Sequence, residues 1–343
     1  MVKTVAIVSL SSGMMGEAFA EHELKIGTRR LHEMGLRVKF MEHSLKGMDY
    51  LKAHPEARAQ DLLQAYADTE VDMILCAIGG DDTYRLLPYL FDGDALQKVL
   101  SDKIFLGFSD TTMNHFMLHK LGAKTFYGQA FLPDVCELDG QMLPYTQKYF
   151  EELVHTERIS EIRPSGIWYE ERLSFGEDQV GIPRVSHTNS GFELLQGKPL
   201  FSGKILGGCI DSIYDIFNSD RYEDTVSLCG KYQLFPSLAD WKGRILLLES
   251  SEEKPEPALY EKMLMALKEY GIFGVVEGVI AGKPMDETYA AEYREALRKV
   301  IDNPNCSVLW NVNIGHATPR CIIPFGVTAR VDADGQRVEF VWD

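Results

Sequence analysis

The segment Ile104-Phe-Leu-Gly-Phe-Ser-Asp-Thr-Thr-Met-Asn-His115 joins a strand pattern to a helix pattern with almost nothing between them. Ile104–Phe108 is a short apolar run of the kind buried on both faces of a parallel sheet. A helical pattern follows from Thr111 to Leu121 and stops at Gly122. Ser109 sits at the junction. Such a strand–turn–helix unit lifts a serine hydroxyl to the carboxyl end of a sheet and aims the first N–H groups of a helix at the space above it. The usual Gly-x-Ser-x-Gly pattern is incomplete, because Thr111 stands where the second glycine belongs. On these residues two readings stay open. Ser109 is a nucleophile with the N–H of Asp110 as an oxyanion donor, or Ser109 or Asp110 is a helix N-cap.

The same rhythm extends outward. Val2–Leu10, Arg37–Met41 and Val71–Ile78 read as strands, and Glu17–Met34, Pro55–Asp68 and Tyr84–Leu90 as helices. Alternating strand and helix predicts an α/β fold with a parallel sheet wrapped by helices. From Pro164 to Gly203 the periodicity fails and Gly, Ser, Glu and Pro accumulate, which predicts a crossing segment of irregular or short β structure, often functional. Beyond it, Gly203–Leu206 leads into Gly207-Gly208, and Arg244–Leu248, Val275–Ala281 and Ser307–Trp310 read as strands. Ala258–Tyr270 and Glu287–Ile301 read as helices, and Val327–Val331 and Arg337–Trp342 as a hairpin around Asp332–Gly335. The expected division is an N-terminal unit 1–165, a crossing segment 166–202 and a C-terminal α/β unit 203–343.

Composition narrows the function classes. The 343 residues carry 35 Lys and Arg against 51 Asp and Glu, a net charge of −16. Such a chain lacks the basic stripe that phosphate contacts demand, which excludes a nucleic-acid polymer as partner. At 45% apolar and 25% charged residues it is globular and not disordered. No stretch reaches the ~18 apolar residues of a membrane span, and the run Val5–Leu10 is too short for the apolar core of a signal peptide. The cysteines (76, 136, 209, 229, 306 and 321) form no CxxC pair and read as free thiols of a reducing cytoplasm, with no structural zinc.

A serine nucleophile needs a base and a second oxyanion donor. The strand pattern ending at Ile78 runs into Gly79-Gly-Asp-Asp-Thr83, where glycines let backbone N–H groups approach a ligand. That loop is near the GGDGT phosphate loop of some kinases, but Asp82 replaces the needed glycine and would repel phosphate. Among nine histidines, His115 and His119 sit four apart on one helix, either a metal pair or, better, a packed helix face. His316 lies in the polar loop Asn313–Arg320 just past a strand, where α/β proteins place site residues; it reads as a catalytic base or an ordinary loop histidine. Glu249 ends the strand of Leu246-Leu-Leu-Glu249 abruptly, which puts its carboxylate at a sheet edge; Glu252 and Glu253 follow on a loop and look solvated. Ser109, Glu249 and His316 each follow a strand, in three different units.

These motifs, with Gly79-Gly80 and Gly207-Gly208, resemble the LD-carboxypeptidase family of serine peptidases from Val5 to about Ile323. Ser9-Leu-Ser-Ser-Gly13, the Gly79–Leu90 stretch, Gly107–Thr112 and Leu248-Glu-Ser-Ser-Glu-Glu253 are most similar to the branch containing the microcin C immunity peptidase. The resemblance implies an N-terminal parallel-sheet domain like class I glutamine amidotransferases, a smaller C-terminal α/β domain, a Ser–Glu–His triad without cofactor, and a homodimer. It would make Ser109 the nucleophile, Glu249 the orienting carboxylate and His316 the base, with the N–H groups of Gly80 and Asp110 as oxyanion hole. It places a base-stacking tryptophan near Trp168, which otherwise reads as a packed aromatic. Arg320 would hold a substrate carboxylate or simply pair at the surface. Cys209 stands where the family often has asparagine. The implied substrates are an aminoacyl-nucleotide conjugate or, alternatively, a murein tetrapeptide losing its terminal D-Ala. A non-catalytic binding module that keeps the elbow as a cap is the further alternative. An α/β-hydrolase esterase fits less well, given the missing elbow glycine and the two-unit rhythm.

Overall fold

The computed structural model describes residues 1–342. In its first half, apolar runs with alternating helices fold as their periodicity requires. The strands are β1 (Thr4–Val8), β2 (Arg37–Phe40), β3 (Met73–Cys76), β4 (Ile104–Gly107) and β5 (Thr125–Tyr127). β1, β3, β4 and β5 are buried throughout, the signature of a sheet covered on both faces. Short strands follow in the crossing segment: β6 (Glu161–Ile162), β7 (Ile167–Tyr169), β8 (Ser186–Thr188) and β9 (Glu193–Gln196). The second half contributes β10 (Leu200–Cys209), β11 (Ile245–Glu249), β12 (Gly278–Gly282), β13 (Ser307–Val312), β14 (Ile323–Phe325), β15 (Thr328–Asp332) and β16 (Arg337–Val341).

Two sheets result. The first has the order β14-β5-β4-β3-β1-β2, parallel from β5 to β2 with β14 antiparallel at its edge. The second has the order β6-β16-β15-β10-β11-β12-β13-β9, with β10 to β13 parallel and antiparallel strands on both sides. The predicted α/β class with a parallel N-terminal sheet and a second sheet unit is therefore observed. The chain does not respect a simple cut: β14 returns to the first sheet, and β6 and β9 join the second.

Three local readings change. The predicted helix 17–34 is shorter, Glu21–Glu33, preceded by two 3-10 turns. A helix at Met48–Ala53 carries too few residues to show a period and escaped the pattern. The strand predicted at Gly203–Leu206 is the ten-residue β10. Its first half alternates in exposure against β15 and its second half is buried beside β11, so two strand patterns meet within one element. Gly207 lets it run there: its φ is +138°, and a Cβ would fall 2.1 Å from the Leu247 carbonyl oxygen.

All six cysteines are buried and unpaired. Among the described residues no helix is long and apolar enough to cross a membrane. The first sheet reverses its winding between β1 and β3, the position at which open α/β sheets bind ligands beyond their carboxyl ends. The loops that leave those two strands carry Ser11–Gly13 and Gly79-Gly80.

Candidate active site

Ser109 follows β4 and holds φ = +66°, a left-handed conformation that costs a non-glycine residue energy. Thr112 secures the turn by donating to the Ser109 carbonyl at 2.7 Å, and Thr111 by donating to the Phe108 carbonyl at 2.8 Å. A Cβ on Gly107 would lie 2.6 Å from Thr111 Oγ1, so the elbow dispenses with its second glycine by packing a threonine against its first. No side-chain cap bond forms at the start of this helix.

The hydroxyl of Ser109 lies 3.1 Å from His316 Nε2, and His316 Nδ1 lies 2.8 Å from Glu249 Oε2. The His316 backbone N–H donates to the same carboxylate oxygen at 3.2 Å. Glu249 is the last residue of β11, between β10 and β12, so its buried carboxylate stands at the end of an interior strand and not at a sheet edge. Gly315 makes that proximity feasible: with φ = +79° it brings the loop so close that a Cβ would lie 2.3 Å from Glu249 Oε2. The three side chains predicted from strand ends are thus brought into one hydrogen-bonded chain.

Gly79 and Gly80 approach the elbow closely. A Cβ on Gly79 would lie 2.6 Å from Ser109 Oγ and 3.3 Å from the Asp110 backbone nitrogen. Among the described residues, neither the Gly80 nor the Asp110 N–H has a hydrogen-bond acceptor. The Asp110 carboxylate, which the sequence did not single out, binds the loops together: it accepts from Ser11 Oγ at 2.6 Å and from the Thr83 N–H at 2.9 Å. Burial pushes that carboxyl up to about 6. Asp82 forms a buried pair with Arg58 at 2.5 Å, a structural task unlike phosphate binding.

Tyr127 was missed by pattern reading. Its hydroxyl donates to Glu249 Oε1 at 2.6 Å and accepts from the Ser109 N–H at 3.2 Å, joining the two sheets behind the site. The one available signal is topological, since Tyr127 pairs with Gly107 across β4 and β5. Burial, then the Glu249 charge, keeps its phenol protonated well above the ordinary range. Tyr127→Phe is expected to reduce kcat about 10- to 100-fold by unpairing a buried carboxylate oxygen; steady-state kinetics checks this, and an unchanged kcat would make the contact merely structural.

The remaining candidates fall differently. His115 is a packed core residue: both ring nitrogens are engaged, by Thr125 Oγ1 at 2.7 Å and the Gly107 carbonyl at 3.1 Å, and burial pushes its pKa down to about 3. Arg320 is buried and not at the surface. Its guanidinium reaches Asp134 at 3.3 Å, Thr318 Oγ1 at 3.1 Å and the His316 carbonyl at 3.4 Å, and stands 4.7 Å over the Phe108 ring. Trp168 lies on β7, which is tied to the His316 loop by the Tyr169 N–H donating to the Thr318 carbonyl at 2.8 Å. It is mostly buried, with the His187 ring stacked at 4.4 Å and Lys283 Nζ 5.1 Å from its ring centroid. Cys209, Glu249 and His316 place a thiol, a carboxylate and an imidazole within 4.8 Å of one another. Burial, then the Glu249 charge, holds the Cys209 thiol protonated, and Glu249 is committed to Tyr127 and His316, so this is not a free donor set. Glu252 is 62% exposed, as its loop suggested, and its carboxylate also lies 2.8 Å from His316 Nε2.

The family model of the LD-carboxypeptidase N-terminal domain matches residues 5–128, and that of the LD-carboxypeptidase C-terminal domain matches residues 202–331. The chain belongs to the LD-carboxypeptidase family. It is therefore a hydrolase of the serine-peptidase, carboxypeptidase type. An MccF-like protein from Streptococcus pneumoniae, solved in complex with AMP, is 62% identical, superposes with a TM-score of 0.99 and is covered over 99% of its length by the whole of this chain. The microcin C7 self-immunity protein MccF of Escherichia coli is 25% identical over 96% of this chain and 90% of its own. A structure of microcin C7 self-immunity protein MccF with aspartyl sulfamoyl adenosine shares the fold at a TM-score of 0.80 and 22% identity, over 100% of this chain and 97% of its own. A probable murein peptide carboxypeptidase of Bacillus subtilis is 26% identical over 88% of this chain and 82% of its own. The LD-carboxypeptidase assignment agrees with the resemblance read from the motifs.

Proposed function

We propose that this LD-carboxypeptidase family member hydrolyses the amide that links an aminoacyl group to a nucleotide-like leaving group, using Ser109, His316 and Glu249. The observation that carries the reading is the hydrogen-bonded chain from Ser109 Oγ through His316 to Glu249, on a serine held in a strained elbow. Nε2 of His316 takes the Ser109 proton as Oγ attacks the carbonyl carbon. Glu249 keeps Nδ1 protonated and stabilises the imidazolium that forms. The N–H groups of Gly80 and Asp110 receive the oxyanion, each worth about 2.7–4 kcal/mol by the measure of other oxyanion holes. His316 then protonates the leaving nitrogen, and water, deprotonated by the same ring, releases the acyl group. No step requires a metal or cofactor.

In this reading residues 1–165 supply the nucleophile, 166–202 the wall carrying Trp168, and 203–343 the Glu249 and His316 side, in a homodimeric cytoplasmic enzyme. The relatives that bind AMP and aspartyl sulfamoyl adenosine favour a nucleotide conjugate. A nucleobase would stack on Trp168 where His187 now lies. Arg320 would act by holding the His316 loop and, through it, the end of the substrate site. The second reading, removal of D-Ala from a murein tetrapeptide, is favoured by the Bacillus subtilis relative.

The experiment offers the purified chain aspartyl sulfamoyl adenosine and a murein tetrapeptide side by side. Turnover of the adenosine conjugate alone, or much faster, is expected; cleavage of the tetrapeptide alone would replace the first reading by the second. Trp168→Ala is expected to lower kcat/KM for the conjugate about 10- to 100-fold, the worth of one base–aromatic stack, and to leave the tetrapeptide rate within about threefold. Equal losses on both would remove the stacking role.

A further inference from the structure

The two N–H groups assigned above to the oxyanion come from different loops, that of Asp110 from the elbow after β4 and that of Gly80 from the loop after β3. The elbow holds its own donor through the turn bonds of Thr111 and Thr112. The Gly80 donor has no such support within its loop. Gly79 and Gly80 carry no side chains, and the Gly80 φ of +154° is one that glycine adopts without strain. What aims this N–H must come from outside.

The support comes from Ser11 and Ser12, on the loop after β1. The Ser12 N–H donates to the Gly79 carbonyl at 3.0 Å. The Gly79–Gly80 peptide is trans, so its N–H points opposite to its carbonyl. Holding the Gly79 oxygen on Ser12 turns the Gly80 N–H away from the β1 loop and leaves it free for a ligand. A reversed peptide would put a carbonyl oxygen in place of that N–H and repel an oxyanion.

The Ser11–Ser12 peptide is itself fixed at its other end. The Ser11 carbonyl accepts from Arg58 Nη1 at 3.3 Å, and the same nitrogen donates to the Leu10 carbonyl at 3.2 Å. Arg58 is fully buried and held by Asp82. A cation and two peptide units thus stand head to tail and end on the Gly80 N–H. In a buried chain of this kind each hydrogen bond polarises the next, which strengthens the last donor. The Ser11 side chain locks the same unit. Its hydroxyl donates to Asp110 Oδ2 at 2.6 Å and accepts from the Asp82 N–H at 3.5 Å. It also backs Gly80, because a Cβ there would lie 2.2 Å from Ser11 Oγ. Asp110 Oδ2 takes a second bond from the Thr83 N–H, just beyond Gly80. Asp110 therefore offers its N–H as one oxyanion donor and its carboxylate as the tie that sets the other.

We infer that Ser11 is a positioning residue of the oxyanion hole. With its hydroxyl on Asp110 and its carbonyl on Arg58, it fixes the Ser12 N–H that orients the Gly79–Gly80 peptide, so both donors are aimed before substrate arrives. The inference rests on the amide-hydrolase reading above, and the same hole serves either substrate class. The oxyanion exists only after Oγ has attacked, so the device acts on turnover and not on ground-state binding.

The test compares Ser11→Ala with Ser9→Ala in the full chain. The Ser9 hydroxyl makes a buried bond of the same kind, to the Ser44 carbonyl at 2.9 Å, two residues earlier and without a tie to Asp110. Kinetics use whichever of aspartyl sulfamoyl adenosine and the murein tetrapeptide the unmodified chain hydrolyses. Ser11→Ala is expected to lower kcat about 10- to 100-fold, with KM within about threefold; outright removal of one oxyanion donor costs about 10²- to 10³-fold. Ser9→Ala should cost about threefold in kcat or less. Asp110→Ala should also lower kcat, and in the double variant with Ser11→Ala the two losses should not add, as for groups of one network. A Ser11→Ala loss below about threefold, or one matched by Ser9→Ala, overturns the positioning role, and so does a KM that rises as far as kcat falls. Additive losses overturn the tie through Asp110. The crystal structure of Ser11→Ala reads the device without turnover: a turned Gly79–Gly80 peptide that has left Ser12 is expected, and an unmoved peptide overturns the inference. Hydrolysis of neither substrate overturns the amide-hydrolase reading, while that crystal structure still decides whether Ser11 orients the peptide.

Discussion

Ser109→Ala is expected to lower kcat by roughly 10⁴- to 10⁶-fold, the range seen when a triad nucleophile is removed. The hydroxyl within reach of His316 Nε2 is that of Ser109, and its side chain is nearly buried, so solvent has little room to substitute for it. The fold should persist. Alanine meets the same φ of +66° with no larger side chain, and the turn bonds from Thr111 and Thr112 reach backbone carbonyls that the substitution leaves in place. Substrate affinity should stay within a few-fold while turnover collapses. Single-turnover kinetics beside a circular-dichroism melt checks this, and a variant that keeps more than a tenth of the activity would refute Ser109 as nucleophile.

Glu249→Gln is expected to cost about 10⁴-fold in kcat, by the precedent of a triad carboxylate turned into an amide. The two oxygens of Glu249 have distinct tasks: Oε1 accepts from the Tyr127 hydroxyl, and Oε2 from both Nδ1 and the backbone N–H of His316. An amide offers one oxygen and one NH₂ group. If the NH₂ faces His316, Nδ1 must give up its proton, the tautomer reverses, and Nε2 presents a hydrogen to Ser109 where a lone pair is needed. If it faces Tyr127, two donors collide. Either way the imidazolium loses its counter-charge although the shape is kept. Activity and thermal melting of Glu249→Gln beside Tyr127→Phe separate the two tasks; a Glu249→Gln loss below tenfold would remove Glu249 from the triad.

Parts of this site are legible because they depend on short-range order. An apolar run stopped by Gly107-Phe108-Ser109 and followed by a helical period is a statement about neighbours in sequence, and the structure places Ser109 at that elbow. The strand ends at Glu249 and before His316 were readable for the same reason. Other parts were not. Glu252 follows a strand on a loop rich in serine and glutamate, which locally signals a solvated acid, and its 2.8 Å approach to His316 Nε2 comes only from the position of the His316 loop. Arg320 reads as a ligand for a substrate carboxylate or as a surface cation until Asp134, Thr318 and the Phe108 ring are seen around it. The full length of β10 was hidden by Gly203, Gly207 and Gly208, which interrupt the apolar pattern yet are the residues that let the strand pass close to its neighbours.

The sequence by itself determined the α/β class, the strand ends on which the chemistry stands, and the side chains set there, because periodicity and turn residues act over a few positions of chain. Only the tertiary structure decided that these ends meet. The Ser109–His316 contact joins residues 207 positions apart, Tyr127–Glu249 joins residues 122 apart, and His316–Glu249 joins residues 67 apart. Contacts of that span are fixed by how two sheets dock, through buried groups such as Tyr127 and close approaches such as Gly315 on Glu249, and no local pattern encodes a docking.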